Sequence, residues 1–535
     1  MNETFEYLKT FARFPFDLRE FLRAPLTLER AQQIVRERMA QREQNFLDAL
    51  ERTIYPYPHS PYRALLEWAG CELGDARALV KQNGLEGALR VLREGGVYVT
   101  FEEFKGRKPI ERNGLTISVK ARDFDNPIVR GQWTMQTGGS TGIGTAVNQD
   151  LAHVGAVAAY PLLALAAHGV FGAPLALCSP MLPAGGLRTL LLMTHIGHMP
   201  QKWFSPIGWR DSRYWLKYAL ATRYMLAWTR AFGARVPFPT IARREQAELV
   251  AHWIVAARQH HPRVVVSGNV SYILRVCVAA QERGLDLTGT LAHVGGEPLT
   301  PAKARLMQQV GVTVMPGYGA VETGSMGLGC AQPSAVDDVH WVADSFALIT
   351  HPHRVEPFGV TVPAFTITAL RVSAPKVLLN VQLDDYGIVE ERACGCALDA
   401  YGYHTHLREI RSYSKLVGEG VTLIGNEMLR ILDQVLPARF GGTPQDYQLM
   451  EQEDARGLTR VALVISPRVQ IADEQQVIEV VLNALRASSP MADAARTIWQ
   501  NAHALEIQRA EPTWTGRGKL LPLHIQRNVQ DETTP

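Results

Sequence analysis

The pattern of apolar and polar positions divides the chain into stretches of different period. Over residues 26–53, apolar residues recur at helical spacing among Arg, Glu and Gln, which predicts a surface helix packed on a larger body. A turn rich in Pro and Tyr, YPYPHSPY, closes it. From about 131 to 380, short β-branched runs such as RVVVSG and VTVMPG alternate with helical segments such as YILRVCVAAQERG and PAKARLMQQVG. Strand alternating with helix predicts an α/β fold, a mainly parallel sheet with helices on its faces. Beyond about 411 the chain has its own strands, TRVALVISP and HALEIQRAE, and its own helices, EMLRILDQVL and EQQVIEVVLNALRAS, enough to enclose a small α+β core. The expected division is a large domain over 1–410, mostly helical through 125, a polar glycine-containing hinge over 411–420, and a mobile C-terminal domain over 421–535.

Length and charge narrow the class. A chain of 535 residues exceeds one compact core. Its formal charge of +3 offers no basic face for nucleic acid and no acidic tail. The longest apolar stretch, 154–178, is interrupted by Pro161, His168, Gly169, Gly172 and Pro174. It reads as a buried helix over 154–167 followed by a core strand, not a membrane span. The six cysteines are few for this length and no cationic, apolar leader opens the chain, so a reducing cytoplasm is expected.

Chemistry concentrates in four segments. TGGSTGIGT, residues 137–145, follows the strand-like WTMQ and offers backbone N–H groups and hydroxyls to an anion, for which a phosphate chain is the natural ligand. No GK[ST] follows, so it is not a Walker A loop. The spacing also matches short-chain dehydrogenases, but none of the 16 tyrosines has a lysine four positions on, as their proton transfer requires. HVGGEPLT at 293–300 and MPGYGAVETG at 315–324 are further strand-to-loop segments, and Lys519 stands in TGRGKLLPLHIQR.

In this order the segments resemble the adenylate-forming superfamily of acyl-CoA ligases, and within it the phenylacetate-coenzyme A ligase-like branch, over nearly the whole chain. The resemblance implies ATP-dependent activation of a small-molecule carboxylic acid as its acyl-AMP, then transfer to a thiol, with coenzyme A or a carrier protein as acceptor and magnesium as cofactor. It implies that Thr137, Gly138, Gly139, Ser140, Thr141 and Gly142 wrap the β- and γ-phosphates. Gly296, Glu297 and Pro298 would wall the adenine pocket, Tyr318 would stack on the base, and Gly319 and Ala320 would leave room for the acyl group and α-phosphate. Glu322 would hold magnesium, and Asp385 of NVQLDDYG, with Asp384 as the out-of-register alternative, would bind the ribose hydroxyls. Lys519 would bridge carboxylate and α-phosphate in the first half-reaction.

Three positions depart from that pattern. Ile143, Gly144 and Thr145 stand where many relatives have a phosphate-binding lysine. Val321 replaces a hydroxyl residue, unless Thr323 compensates. Tyr413, Ser414 and Lys415 replace the usual hinge pair.

Cys394 and Cys396, one residue apart, join Cys330 and His340 as a Cys3His set suited to zinc, which some proteins of that branch carry as a structural ion. Unconnected thiols with His340 in the core are the alternative. The pairs His195/His198, His260/His261 and His404/His406 read as packed or solvated. The aromatic segment 202–215 reads as core before acyl pocket. Transfer to an amine, or a catalytically weak regulatory protein, are the competing functions; a homodimer is left open.

Overall fold

Helices Glu3–Arg23, Leu28–Ala40, Arg42–Thr53, Pro61–Trp68 and Leu73–Glu94 open the chain. The computed structural model describes residues 3–136, 146–210, 215–355, 360–412, 415–418, 421–424, 431–442, 446–453, 459–486, 505–513 and 523–525. The stretch read as one helix over 26–53 is two. Thr27 caps the first by accepting from the Arg30 N–H at 3.3 Å, and Gln41 (φ −110°, ψ 18°) leaves the helical region between them. The second turns Phe46, Leu47 and Leu50 into the main core, so it is more than a surface helix.

The central sheet is built from β1 (Leu175–Cys178), β2 (Lys202–Ser205), β3 (Pro239–Ile241), β4 (Val264–Asn269), β5 (Thr290–Gly295), β6 (Val312–Ala320), β7 (Gly324–Gly329), β8 (Val339–Trp341), β9 (Phe346–Val355), β10 (Val360–Ala369), β11 (Val381–Glu391) and β12 (Thr405–Ser412). Their spatial order is 9-10-11-12-8-7-6-5-4-1-2-3. From β3 to β6 every neighbouring pair is parallel; from β6 to β9 every pair is antiparallel. The α/β class and the parallel half are what strand–helix alternation predicts; the antiparallel half makes the sheet mixed and not mainly parallel. The parallel half comes from the crossovers β4–helix Val270–Glu282–β5 and β5–helix Pro301–Gln309–β6, and the apolar run VVV of β4 is buried because helices cover both faces.

The apolar stretch 154–178 forms two helices, Leu151–Val157 and Ala159–Ala167, followed by β1. Pro161 has no N–H to give the Val157 carbonyl, and the break falls there. No described helix is long and apolar enough to cross a membrane.

The C-terminal part has its own four-stranded sheet, ordered Leu505–Arg509, Thr459–Ile465, Tyr447–Glu453, Leu523–Ile525. Ile431, Leu436, Tyr447, Leu463, Val477 and Leu482 form a core distinct from that of the main body. Residues 411–420 contribute the end of β12 and one arm of a hairpin, Lys415–Gly418 paired with Val421–Ile424; residues 413–414 and 419–420 lie outside the described residues.

Candidate active site

Two neighbouring parallel strands deliver the second and third segments to one end of the sheet. β5 ends at Gly295, where a Cβ would lie 2.9 Å from the Gly317 carbonyl oxygen of β6, so only glycine permits this approach. Gly296 follows at φ +80°, exposed, with Glu297 and Pro298 partly exposed after it. β6 carries a register shift between Tyr318 and Gly319 as it pairs with β7, and a Cβ on Gly319 would overlap the Gly324 carbonyl oxygen. The glycines therefore let the chain fold back on itself after Tyr318.

That bulge sets the Tyr318 hydroxyl against Asp385 of β11, donating to Oδ2 at 2.9 Å. Ser412, opposite Asp385 in the β11–β12 register, donates to Oδ1 at 2.5 Å. Burial and the adjacent carboxylate push the Tyr318 phenol well above its ordinary range, which keeps it a donor. Asp384, the alternative ribose ligand, is buried at φ +75°, whereas Asp385 is the residue that meets Tyr318. Sequence reasoning missed Ser412, which only strand register could reveal.

Beyond Ala320 the chain turns. The Ala320 N–H donates to Thr323 Oγ1 at 3.2 Å, and that hydroxyl donates to the Gly324 carbonyl at 3.1 Å. Thr323 is buried and spends its hydroxyl inside the turn, so it does not replace the hydroxyl lost at Val321. Glu322 is 4% exposed, and its Oε1 takes a hydrogen bond of 2.5 Å from Lys105 Nζ. Lys105 follows the short helix Phe101–Phe104, whose Phe101 and Phe104 rings lie 5.5 and 5.8 Å from the ammonium. Sequence inspection gave no signal for this pair, since 217 positions separate its members.

The first segment (Thr137, Gly138, Gly139, Ser140, Thr141, Gly142 and on through 145) and the fourth (Lys519) lie outside the described residues. The strands flanking the first, Trp133–Gln136 and Ala146–Gln149, pair antiparallel. Trp203 and Phe204 of the aromatic segment are buried in the core, with Trp203 Nε1–H donating to the Ser179 carbonyl at 2.7 Å.

A separate cluster gathers Cys330, His340, Cys394 and Cys396, all ligand atoms within 4.8 Å of one another. Cys330 Sγ lies 3.5 Å from Cys394 Sγ, and His340 Nε2 lies 3.1 Å from Cys396 Sγ and 3.6 Å from Cys394 Sγ. Bonds of about 2.3 Å to sulfur and 2.0 Å to nitrogen give tetrahedron edges of roughly 3.5 to 3.8 Å, so the spacing fits zinc. Nδ1–H of His340 donates to the Tyr403 carbonyl at 2.6 Å, which orients Nε2 toward the thiols. Backbone N–H groups of Gln332, Cys396 and Leu398 donate to the sulfurs of Cys330, Cys394 and Cys396, at 3.3 to 3.4 Å. The Cys330 hydrogen bond and His340 hold the Cys396 thiol well below its ordinary range. Behind His340, His406 Nδ1 contacts Asp338 at 2.7 Å and Arg392 pairs with the same carboxylate. Burial pushes the Asp338 carboxyl up, but these partners outweigh it and hold the group at about 2. The remaining histidine pairs are packed or exposed: His195 stacks on Phe21 at 4.1 Å, His198 accepts from the Gly172 N–H, and His260, His261 and His404 are exposed.

No family model matches the chain. No curated protein matches it. Among solved structures it is similar to an AMP-forming acyl-CoA synthetase/AMP-acid ligase II-like protein from Dyadobacter fermentans, at 16% identity over 72% of this chain and 87% of that one, TM-score 0.30. It is also similar to a variant of the amide bond synthetase Mcba from Marinactinospora thermotolerans, at 13% identity over 90% and 92%, TM-score 0.39. A third is the anthranilate CoA ligase AuaEII, at 13% identity over 86% and 89%, TM-score 0.32. Likenesses of this size leave the activity to be argued from the chain's own residues.

Proposed function

We propose that the chain is an ATP-dependent adenylating ligase that activates a carboxylic acid as its acyl-AMP and passes the acyl group to a thiol, coenzyme A first among candidates. The observation that carries this reading is the meeting of Tyr318 with Asp385 beside the glycine-rich ends of β5 and β6. A flat ring next to a carboxylate suits a nucleoside: the ring covers the base and the carboxylate accepts from both ribose hydroxyls, displacing the bonds it now takes from Tyr318 and Ser412.

Residues 137–142 would cradle the phosphates through backbone N–H groups, and Lys519 would bring an ammonium to the α-phosphate as charge gathers there. Glu322 would supply the hard oxygen ligand for magnesium, which when bound neutralises triphosphate charge. Lys105 already occupies this carboxylate, so metal binding requires the ammonium to move aside or share it. The Cys330/His340/Cys394/Cys396 set would hold a structural zinc ion. Within the phenylacetate-coenzyme A ligase-like reading, that ion would tie the end of β7, through Cys330, to β8 and to the segment between β11 and β12.

Pyrophosphate release over a panel of carboxylic acids tests the proposal, with Lys519→Ala as control. At least one acid should give release that falls about a hundredfold or more in the variant. Release with no acid, or equal release by both proteins, would refute it. Parallel reactions with coenzyme A, carrier protein and amines decide the acceptor.

A further inference from the structure

The interior holds a group of cations that adenylation as described does not use. Arg371 follows β10 and is 9% exposed, and its Nε, Nη1 and Nη2 are all buried without a hydrogen-bond partner. Arg188, on the helix Gly186–His195, is deeply enclosed yet keeps accessible surface, so open space reaches it. His153, on the helix Leu151–Val157, is fully buried; its Nδ1–H donates to the Ser373 carbonyl at 3.1 Å, and Nε2 is without a partner. Both Arg188 and His153 converge on Gly324: a Cβ there would lie 3.0 Å from Arg188 Nη2 and 3.9 Å from His153 Nε2.

The local charge does not balance. Asp344, buried, is the carboxylate facing Arg371, and its oxygens are taken by Tyr403 at 2.7 Å, Tyr160 at 3.0 Å and Ser345 at 3.4 Å, with Arg38 at 4.0 Å. Arg371 otherwise has the Phe346 and Tyr160 rings, at 5.8 and 6.0 Å. Two guanidiniums, Arg38 and Arg371, therefore share this carboxylate, and Arg188 has Arg371 as its charged neighbour. Arginine cannot shed its proton to escape burial, as lysine or histidine can. Burial and the neighbouring Arg371 push Arg188 down only to about 10. An uncompensated buried cation is costly unless an anion arrives to meet it.

We propose that Arg188 and Arg371, with His153 beside them, seat a second anionic group on the carboxylic acid, so that the substrate is a dicarboxylate and not a simple aryl or fatty acid. This rests on the adenylation reading. Position favours the acid over the nucleotide. Gly324 packs directly against Gly319, the residue beside which the acyl group lies in the adenylation reading. Pyrophosphate must leave after the first half-reaction, whereas the acyl part stays through both, so an enclosed seat suits the part that stays. Gly324, at φ +79°, carries no side chain, which lets the Arg188 guanidinium pack against its backbone.

The test uses the full chain, with malonate, succinate and glutarate set against propionate, butyrate, phenylacetate and pyrophosphate at equal ionic strength. Dicarboxylates should raise Tm more than their monocarboxylate partners. In pyrophosphate release, the preference for dicarboxylate over monocarboxylate in kcat/KM should fall roughly ten- to a hundredfold in Arg371→Met, as for a lost charged hydrogen bond. Arg371→Met should also raise the ligand-free Tm, because it removes an unmet cation. Arg188→Gln, the second variant, should lose the dicarboxylate-specific shift as well. Equal shifts from mono- and dicarboxylates, a response to pyrophosphate alone, or variants of unchanged selectivity would overturn the proposal. Turnover of monocarboxylates with no dicarboxylate preference would sink this seat and leave adenylation standing; release with no acid would sink both.

Discussion

β7 has a different polar cluster at each end. Arg188 and His153 gather at its first residue, Gly324, with Arg371 as their charged neighbour, and the three thiols and His340 gather just past its last, Gly329. Six residues of strand span about 20 Å, so each cluster sits in its own surroundings. The thiol cluster is self-complete. Its sulfurs can give up protons, backbone N–H groups already donate to them, and a divalent ion would satisfy the remaining lone pairs. The arginine cluster cannot adjust, because guanidinium charge is fixed. On the readings proposed above, one end of the strand would act as a brace and the other as a receptor.

The sharpest way to break the comparison is to remove a thiol. Cys396→Ser should abolish stoichiometric zinc, measured by metal analysis of chelator-free protein, and destabilise folding by about 4 kcal/mol or more in denaturant titration. Protein without zinc near one equivalent would reduce this end of β7 to packed thiols. Next in size is Asp344→Asn, which removes the carboxylate facing Arg38 and Arg371 and should cost about 3 to 5 kcal/mol. A loss under 1 kcal/mol would mean that those cations are already neutralised.

The smallest effect concerns His293, a half-buried base that can shed its charge. Burial, with His168 nearby, pushes its imidazole down to about 4, while Nδ1 lies 3.2 Å from Ser267 Oγ. Below pH 6.5 the unfolded chain takes up a proton that the folded one refuses, so stability present above 6.5 is lost as pH falls toward 4. Allowing for partial exposure, the loss should be about 2 kcal/mol, and His293→Gln should flatten that part of the stability–pH profile.

What the sequence made legible follows from distance along the chain. The β5–β6 glycines, Tyr318 and the thiol pair stand in short contiguous segments, where spacing alone implies chemistry. The parallel half of the sheet announced itself through β-branched runs alternating with helices. The antiparallel half did not, because β9 and β10 carry Pro352 and Pro363 at facing positions, and prolines read as strand breakers. Arg188, Arg371, His153 and Lys105 were invisible for another reason. Each is a single polar residue in its own element, indistinguishable from a solvated one until the topology sets it inside.

ATP–pyrophosphate exchange tests the central claim most directly, since label returns to ATP only if the acid forms a reversible adenylate. Acid-dependent exchange without any thiol, weakened in Asp385→Asn through a raised KM for ATP, is the predicted result. Exchange that ignores the acid, or is absent across mono- and dicarboxylates alike, would contradict the account.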